Sequence, residues 1–294
     1  MKSKGGKLNI SLIGAGKVGT TLTVLLHRSG HRIVSVISST KASARKCSAC
    51  VSCKVSSDRV ADLSPLTDLV IIAVTDQSIQ SVAESVAGVS HLRFKRLAVC
   101  HTSGAMTSDV LAPLALKGAS VFSLHPIQTF PRQLPVNRQL RRMEGVWYGI
   151  EGPGSSMTIA RRIVENLEGA SMIVPKERKI LYHLACVFAS NYSVALIGAI
   201  EELAAQFAKN DLKPFRKLVE TSISNAMEQG SANALTGPIV RGNVETIAEH
   251  LKSLPPSDLR NLYRSLGLYT LKLANDKGRL EPALVQSIKD LLST

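Results

Sequence analysis

Three glycines spaced G-x-G-x-x-G, at Gly14, Gly16 and Gly19, break the stretch LNISLIGAGKVG at residues 8–19. Such a triplet constrains a fold only when a strand precedes it and a helix follows. Both flanks are present. Leu8, Ile10, Leu12 and Ile13 suit a strand covered on both faces, which favours a nearly continuous apolar run. After the turn, Val18, Leu22, Leu25 and Leu26 recur at helical spacing, and Gly30 supplies a stop. In that setting Gly14 permits the tight turn, Gly16 lets the backbone approach a pyrophosphate, and Gly19 lets the helix pack closely on the strand. Free N–H groups at the helix start attract phosphate oxygens. The spacing therefore predicts a dinucleotide-binding turn made of Gly14, Ala15, Gly16, Lys17, Val18 and Gly19.

The next strand, RIVSVI, leads into Ser38, Ser39, Thr40 and Lys41, with Arg45 and Lys46 beyond and no acid in the stretch. An NAD-selective site usually places Asp or Glu here to bond the ribose hydroxyls. Hydroxyls and cations instead suit a 2′-phosphate. NADP is the expected cofactor, with NAD the alternative. Val74 and Thr75, at the end of the strand LVIIAV, complete the expected cofactor contacts.

Alternation of strand and helix continues through RLAVCH, GASVFSLHP, VWYGIEG and the helix SSMTIARRIVENLEG, with a further strand expected around Lys54–Ser56. This order predicts an α/β domain with a doubly wound, mostly parallel sheet and ligands at the carboxyl ends of its strands. The segment from Pro126 to Glu144, rich in Gln, Arg and Pro, reads as the longest irregular piece and a candidate lid. Beyond GASMIVP strand patterns cease. Residues 177–210 read as one long helix, apolar around most of its circumference, the mark of a buried bundle axis. Further helices are expected at 214–230, 243–253, 258–276 and 282–292, punctuated by Pro255, Pro256 and Pro282. The expected domains are 1–175, a dinucleotide-binding α/β domain, and 176–294, an all-α domain.

Composition narrows the partners. The net charge is +14, with eleven Lys or Arg against one acid in residues 1–60, and eight against one in 91–142. Both stretches fall in the expected dinucleotide domain, and aromatic residues make up 4% of the chain. Few stacking side chains and no nucleic-acid-binding signature argue against nucleic acid. A positive field drawing a phosphorylated cofactor and a small anionic substrate accounts for the same charge. No run reads as a membrane span, and the N-terminus passes directly into the first strand without a signal peptide, so a cytoplasmic protein is expected. Cys47, Cys50 and Cys53 have metal-site spacing but lack a fourth ligand, and no metal is expected.

Taken together, GAGKVG, AVTDQSI, HTSGA, SLHPIQTF, ASNY and ALTGPIVRGNVETIAEHL resemble a family of predicted oxidoreductases that pair a Rossmann-like domain with a C-terminal domain of unknown function. The resemblance implies a fold similar to 6-phosphogluconate dehydrogenases, ketopantoate reductases and pyrroline-5-carboxylate reductases, with a helical domain that closes the active site and forms a homodimer. Those dehydrogenases carry a Lys-x-x-x-Asn pair on the long helix. Here Lys179 is followed by His183, so either His183 replaces the lysine as acid or the chemistry differs. The family also commonly has Asp where this chain has Asn243.

Hydride transfer to a carbonyl or imine leaves negative charge on oxygen or nitrogen, so a proton donor is required, and histidine suits that task. His183 is the first candidate, with Ser190 and Asn191 two turns on along nearly the same face. Against it stands a histidine simply satisfied within a helical core. His125 ends a strand at the ligand edge, or caps a loop. Ser103, beside Gly104, offers a hydroxyl to substrate, or leads a helix turn. Arg241, with Thr236 orienting its loop, is the candidate grip for a substrate carboxylate, or a brace between helices. The reading is an NADP-dependent reductase of a small carboxylated carbonyl or imine compound bound between the two domains. The alternative is an NADP-binding sensor without turnover.

Overall fold

The runs LVII and AVCH are buried at every residue, the pattern of strands covered on both faces. A computed structural model describes residues 6–208, 211–276, 278 and 280–293. The chain begins β1 (Asn9–Ile13), α1 (Lys17–Arg28), β2 (Arg32–Ile37), α2 (Lys41–Ala49), β3 (Ser56–Ser57), β4 (Leu69–Ile72) and α3 (Asp76–Ala87). It continues β5 (Ala98–His101), α4 (Ala112–Ala115), β6 (Ser120–Pro126), α5 (Val136–Arg141), β7 (Trp147–Glu151), α6 (Met157–Asn166), β8 (Ala170–Ile173) and α7 (Lys179–Val187).

The described strands form one eight-stranded sheet in the order β3-β2-β1-β4-β5-β6-β7-β8. Every neighbouring pair is parallel except β6 and β7. The strand order reverses between β1 and β4, which opens a crevice at their carboxyl ends. Alternate residues of the strands feed two cores. Ile10, Leu12, Leu69, Ile71 and Cys100 join α1 and α6 on one face. Ile13, Val70, Ile72, Val99 and Val121 join α3 and α4 on the other. This is the doubly wound, mostly parallel sheet expected from the sequence.

A polar knot lies inside. Ser11 of β1 is fully buried, with its Oγ 2.6 Å from Ser35 Oγ and 2.8 Å from Thr67 Oγ1. Thr67 Oγ1 donates onward to the Ser64 carbonyl at 2.6 Å, so the group is closed. It sits where the β1–β2 register skips, Ile10 facing Ile33 but Ser11 facing Ser35.

Several local expectations are corrected. The third strand is Ser56–Ser57 rather than Lys54–Ser56. The Pro126–Glu144 segment is not irregular throughout: it contains α5, whose Leu140 enters the core with Met143. Gln139 Nε2 donates to the Thr129 carbonyl at 3.0 Å, and Lys17 Nζ to the Leu134 carbonyl at 2.7 Å, which ties the segment down.

The expected single helix over 177–210 has a break. A π-helical turn, Phe188–Tyr192, separates α7 from α8 (Ser193–Ala204). Lys209 and Asn210 lie outside the described residues. Against the expectation of no membrane-length run, Lys176–Ala204 is long and apolar enough to cross a membrane by length and composition alone. Only 6% of that stretch is buried, so within this chain the helix is not the buried bundle axis that its apolar circumference predicts.

Contacts divide the chain into compact units between Tyr192 and Ser193, whereas strands cease at Ile173. The difference arises because Lys179 and Tyr182 of α7 are buried within the sheet-bearing unit. The second unit holds α8, α9 (Lys213–Gln229), α10 (Ser231–Ala234), α11 (Val244–Ser253), α12 (Asp258–Asn275) and α13 (Pro282–Ser293). Its core is small, built on Ile247, Leu251, Leu271, Ile288 and Leu292 of the last three helices. Asn243 caps α11 by accepting the Thr246 N–H at 3.1 Å, a task Asn performs as well as Asp.

Candidate active site

The glycine-rich turn joins the end of β1 to α1 at the point where the strand order reverses. Gly14 has φ +101°, and a Cβ there would strike the Ala73 backbone at the end of β4. A Cβ at Gly19 would strike the Gly14 carbonyl. Gly16 differs: its φ is −74°, and a Cβ there would meet nothing within 4 Å. Its smallness serves neither backbone nor packing and leaves open space at the helix start. No side chain caps α1 and its first turn holds no acid, so its N–H groups and positive dipole end are available to an anion. These features fit the pyrophosphate of a dinucleotide.

The other predicted cofactor residues gather around the same crevice. Ser38 Oγ accepts the Ala15 N–H at 3.4 Å, which joins the end of β2 to the turn. Ser39, Thr40 and Lys41 are exposed. Thr40 caps α2 by accepting the Ser43 N–H at 3.2 Å. Lys41 Nζ has a loose ion pair with Asp58 at 4.0 Å, both side chains well solvated, and such a pair holds its lysine weakly. Val74 packs on the second core, and Thr75 precedes α3 with its Oγ1 3.0 Å from Ser78 Oγ.

Further along the same carboxyl edge, β5, β6 and α7 bring together three histidines, a tyrosine and a lysine. His125, near the end of β6, has Nδ1 2.6 Å from the Tyr182 hydroxyl. A Cβ built on Gly104 would lie 2.6 Å from His183 Nδ1 and 3.0 Å from His125 Nε2. The two rings therefore converge on the Gly104 backbone from two sides, their centroids 6.3 Å apart. His183 Nδ1 is buried without a protein partner, which leaves it directed at that point. Burial, together with the nearby Lys179 ammonium and the other two histidines, lowers His125 to about 4. It is neutral at physiological pH.

Lys179 is 1% exposed and donates to Ser123 Oγ at 2.6 Å. Burial brings its amine down to about 8, opposed by the negative charge of Glu151. Glu151 accepts the Ser108 N–H at 2.7 Å and the Ser108 hydroxyl at 2.9 Å. His101 is fully buried, accepting the Ser103 N–H on Nδ1 at 3.2 Å, with Nε2 3.1 Å from the Thr107 carbonyl.

The structure separates the predicted catalytic residues. His125 and His183 meet. Ser103 Oγ accepts the Ala105 and Met106 N–H groups at 3.2 and 3.1 Å, so it organises the turn. Ser190 and Asn191 lie in the π-helical turn, with Ser190 Oγ 3.0 Å from the Cys186 carbonyl and 2.9 Å from Asn191 Oδ1, two acceptors that share its one hydrogen. A wider turn changes which residues share a face, so the α-helical spacing that aligned them with His183 does not apply. Thr236 and Arg241 are exposed residues of the second unit. Tyr182 and Lys179 were not singled out as site residues. Lys179 carries no signal in sequence, since it reads as the last residue of the charged run KERK at 176–179.

Cys47 is buried, and burial raises its thiol to about 11. Cys50 and Cys53 each donate to a nearby carbonyl, of Lys46 and Val55. Among the described residues no group of three or more His, Cys, Asp or Glu is placed to hold a metal ion.

Comparison with known proteins gives two family matches. Residues 2–126 match the Rossmann-like domain, and residues 146–270 match the domain of unknown function DUF2520. No curated protein matches the chain by sequence. Among solved structures, a candidate NADP oxidoreductase from Bacteroides fragilis is 24% identical, covering 90% of this chain and 98% of its own, with TM-score 0.73. A pyrroline-5-carboxylate reductase from Coxiella burnetii is 17% identical over 97% of this chain and 99% of its own, TM-score 0.54. A reductive aminase from Aspergillus terreus, in complex with NADPH and ethyl levulinate, is 13% identical over 98% and 93%, TM-score 0.56. At these identities the likeness is one of fold.

Proposed function

We propose that this chain, which joins a Rossmann-like domain to a DUF2520 domain, is an NADPH-dependent reductase of a small carbonyl or imine compound. The observation that carries the reading is that one carboxyl edge of the sheet holds both the open glycine turn after β1 and the converging pair His125 and His183 over Gly104. A nicotinamide cofactor supplies the hydride. The chain's own residues hold the pyrophosphate at the start of α1 and present imidazole nitrogens where negative charge develops on the substrate oxygen or nitrogen. Fold analogy agrees: the solved structures of like fold include an NADPH-bound reductive aminase and a pyrroline-5-carboxylate reductase.

Preference for NADPH follows from Lys41, whose weak hold on Asp58 leaves it free to face a 2′-phosphate. Titration of the protein with NADPH and NADH, followed by nicotinamide fluorescence, tests both parts of the reading. Tight NADPH-selective binding is expected, and Lys41→Glu should reduce that selectivity by about tenfold or more, roughly 1.4 kcal/mol. Absence of binding to either nucleotide sinks the reductase reading. Equal binding of both by the unaltered protein sinks the NADPH preference.

We also propose that the working form is a homodimer joined through helical segments. α9 has no buried residue, and Leu218, Ile223 and Met227 along it are 66, 51 and 83% exposed. In α8, Val194 and Leu203 are exposed and Ala204 alone is buried. The apolar circumference of α8 and the large apolar side chains left bare on α9 need a cover. Sedimentation should give about twice the 31.6 kDa chain mass, and Leu218→Glu with Ile223→Glu should shift it toward the monomer. A monomeric wild-type protein at micromolar concentration refutes this.

A further inference from the structure

We propose that Tyr182 is a positioning residue: its hydroxyl donates to His125 Nδ1 and so keeps the hydrogen of that ring on Nε2, facing Gly104. On the reductase reading, on which the functional half of this inference rests, Nε2–H is the neutral hydrogen-bond donor that receives negative charge developing on the substrate oxygen or nitrogen.

Three observations carry it. The first is access. In the antiparallel β6–β7 ladder His125 stands opposite Gly149, and a Cβ at Gly149 would overlap the Tyr182 hydroxyl. The phenol of α7 thus reaches His125, 57 residues away in sequence, across the one strand position that has no side chain. The 2.6 Å separation and the edge-on ring packing define a specific contact.

The second is direction. Burial raises Tyr182 above the usual phenol range, so the hydroxyl keeps its hydrogen. Of the hydroxyl's two side-chain neighbours, the Cys186 sulfur is a weak acceptor and the imidazole nitrogen, 2.6 Å away, a good one, so the phenol hydrogen goes to His125 Nδ1. His125, held neutral by burial and by the positive neighbour Lys179, carries a single ring hydrogen. If Nδ1 accepts, that hydrogen is on Nε2.

The third is aim. His125 Nε2 lies 3.0 Å from a Cβ built on Gly104, the point at which the unpartnered His183 Nδ1 also arrives. The orienting contact on the far side of the ring therefore has its effect where a ligand atom would meet the ring.

Nitrogen NMR of histidine-labelled protein near neutral pH reads the tautomer directly, with His125 assigned by comparison with His125→Gln. The expected result is a hydrogen on Nε2 and an accepting Nδ1, changing to a mixture of tautomers in Tyr182→Phe. With a reducible substrate in hand, Tyr182→Phe should lower kcat about 10- to 100-fold, with KM and NADPH affinity little changed. The His125→Gln amide can offer an N–H at the Nε2 position without Tyr182, so adding Tyr182→Phe to it should cost nothing more. A hydrogen on Nδ1 in the wild-type protein overturns the proposal, as does a tautomer or a kcat unmoved by Tyr182→Phe. Should Tyr182→Phe fail to fold, the wild-type spectrum decides. That spectrum requires no substrate or cofactor, so absence of NADPH oxidation counts against the reductase reading alone.

Discussion

Gly16→Val should lower nicotinamide dinucleotide affinity by about a hundredfold or more, some 3 kcal/mol, while the fold is nearly unaffected. The two effects separate because of the geometry at this position. Its φ of −74° is open to any residue, and a Cβ there meets nothing within 4 Å. Loss of glycine as the residue leading α1 should cost less than about 1 kcal/mol. Gly14 and Gly19 offer no such test, since substitution at either collides with backbone. Calorimetric titration with NADPH, alongside urea unfolding of the same variant, measures both quantities. Unchanged affinity would mean that the open space does not receive the pyrophosphate, and the cofactor reading of the turn would fail.

Acidification from pH 6.5 to about 4 should remove several kcal/mol of stability, largely through His101 and His125. Each is lowered by burial from 6.5 to about 4. In the unfolded chain both take up protons as pH falls below 6.5, while in the folded protein they resist until about 4. The unfolded state then binds more protons, so stability falls with falling pH across this window and is fully present above it. The contribution is on the order of 3 kcal/mol each as an upper bound. His101 shows the physical reason: its Nδ1 already accepts the Ser103 N–H, and a proton there would set two donors against each other. Urea unfolding at pH 7 and at pH 4.5 measures the loss, and His125→Gln should flatten the slope. Equal stability at both pH values would refute the assignment of buried, neutral histidines.

The first βα unit was legible because its signals are local: a doubly buried strand, a glycine turn and a helix of fixed period. The placement of His125 was legible for the same reason, since β6 reads through to His125 and Pro126. Other features depend on contacts far apart in sequence. The reversal of β7 leaves no mark, because WYGIE is as apolar as a parallel strand in the same place. Tyr182 and Lys179 enter the site only because α7 packs into the sheet-bearing unit, and helical period alone cannot say which turn does so. The π-helical turn at Phe188–Tyr192 likewise has no composition that marks it, and it displaced Ser190 and Asn191 from their expected alignment. Ser103 looked available because a sequence shows a hydroxyl but not the two N–H groups it already serves.

The buried hydroxyls of Ser11, Ser35 and Thr67 bear on how the chain finds this sheet at all. Parallel strands joined through distant crossovers have few local cues to alignment, and apolar residues of similar size tolerate a slip. Hydroxyls do not. In a slipped pairing of β1 with β2, Ser11 and Ser35 would be interred apart, at about 1–3 kcal/mol for each unmet group. The knot acts as a register pin: a misaligned pairing of β1 with β2 is the costlier one, and the glycine turn that follows β1 is held at the mouth of the crevice at the correct height.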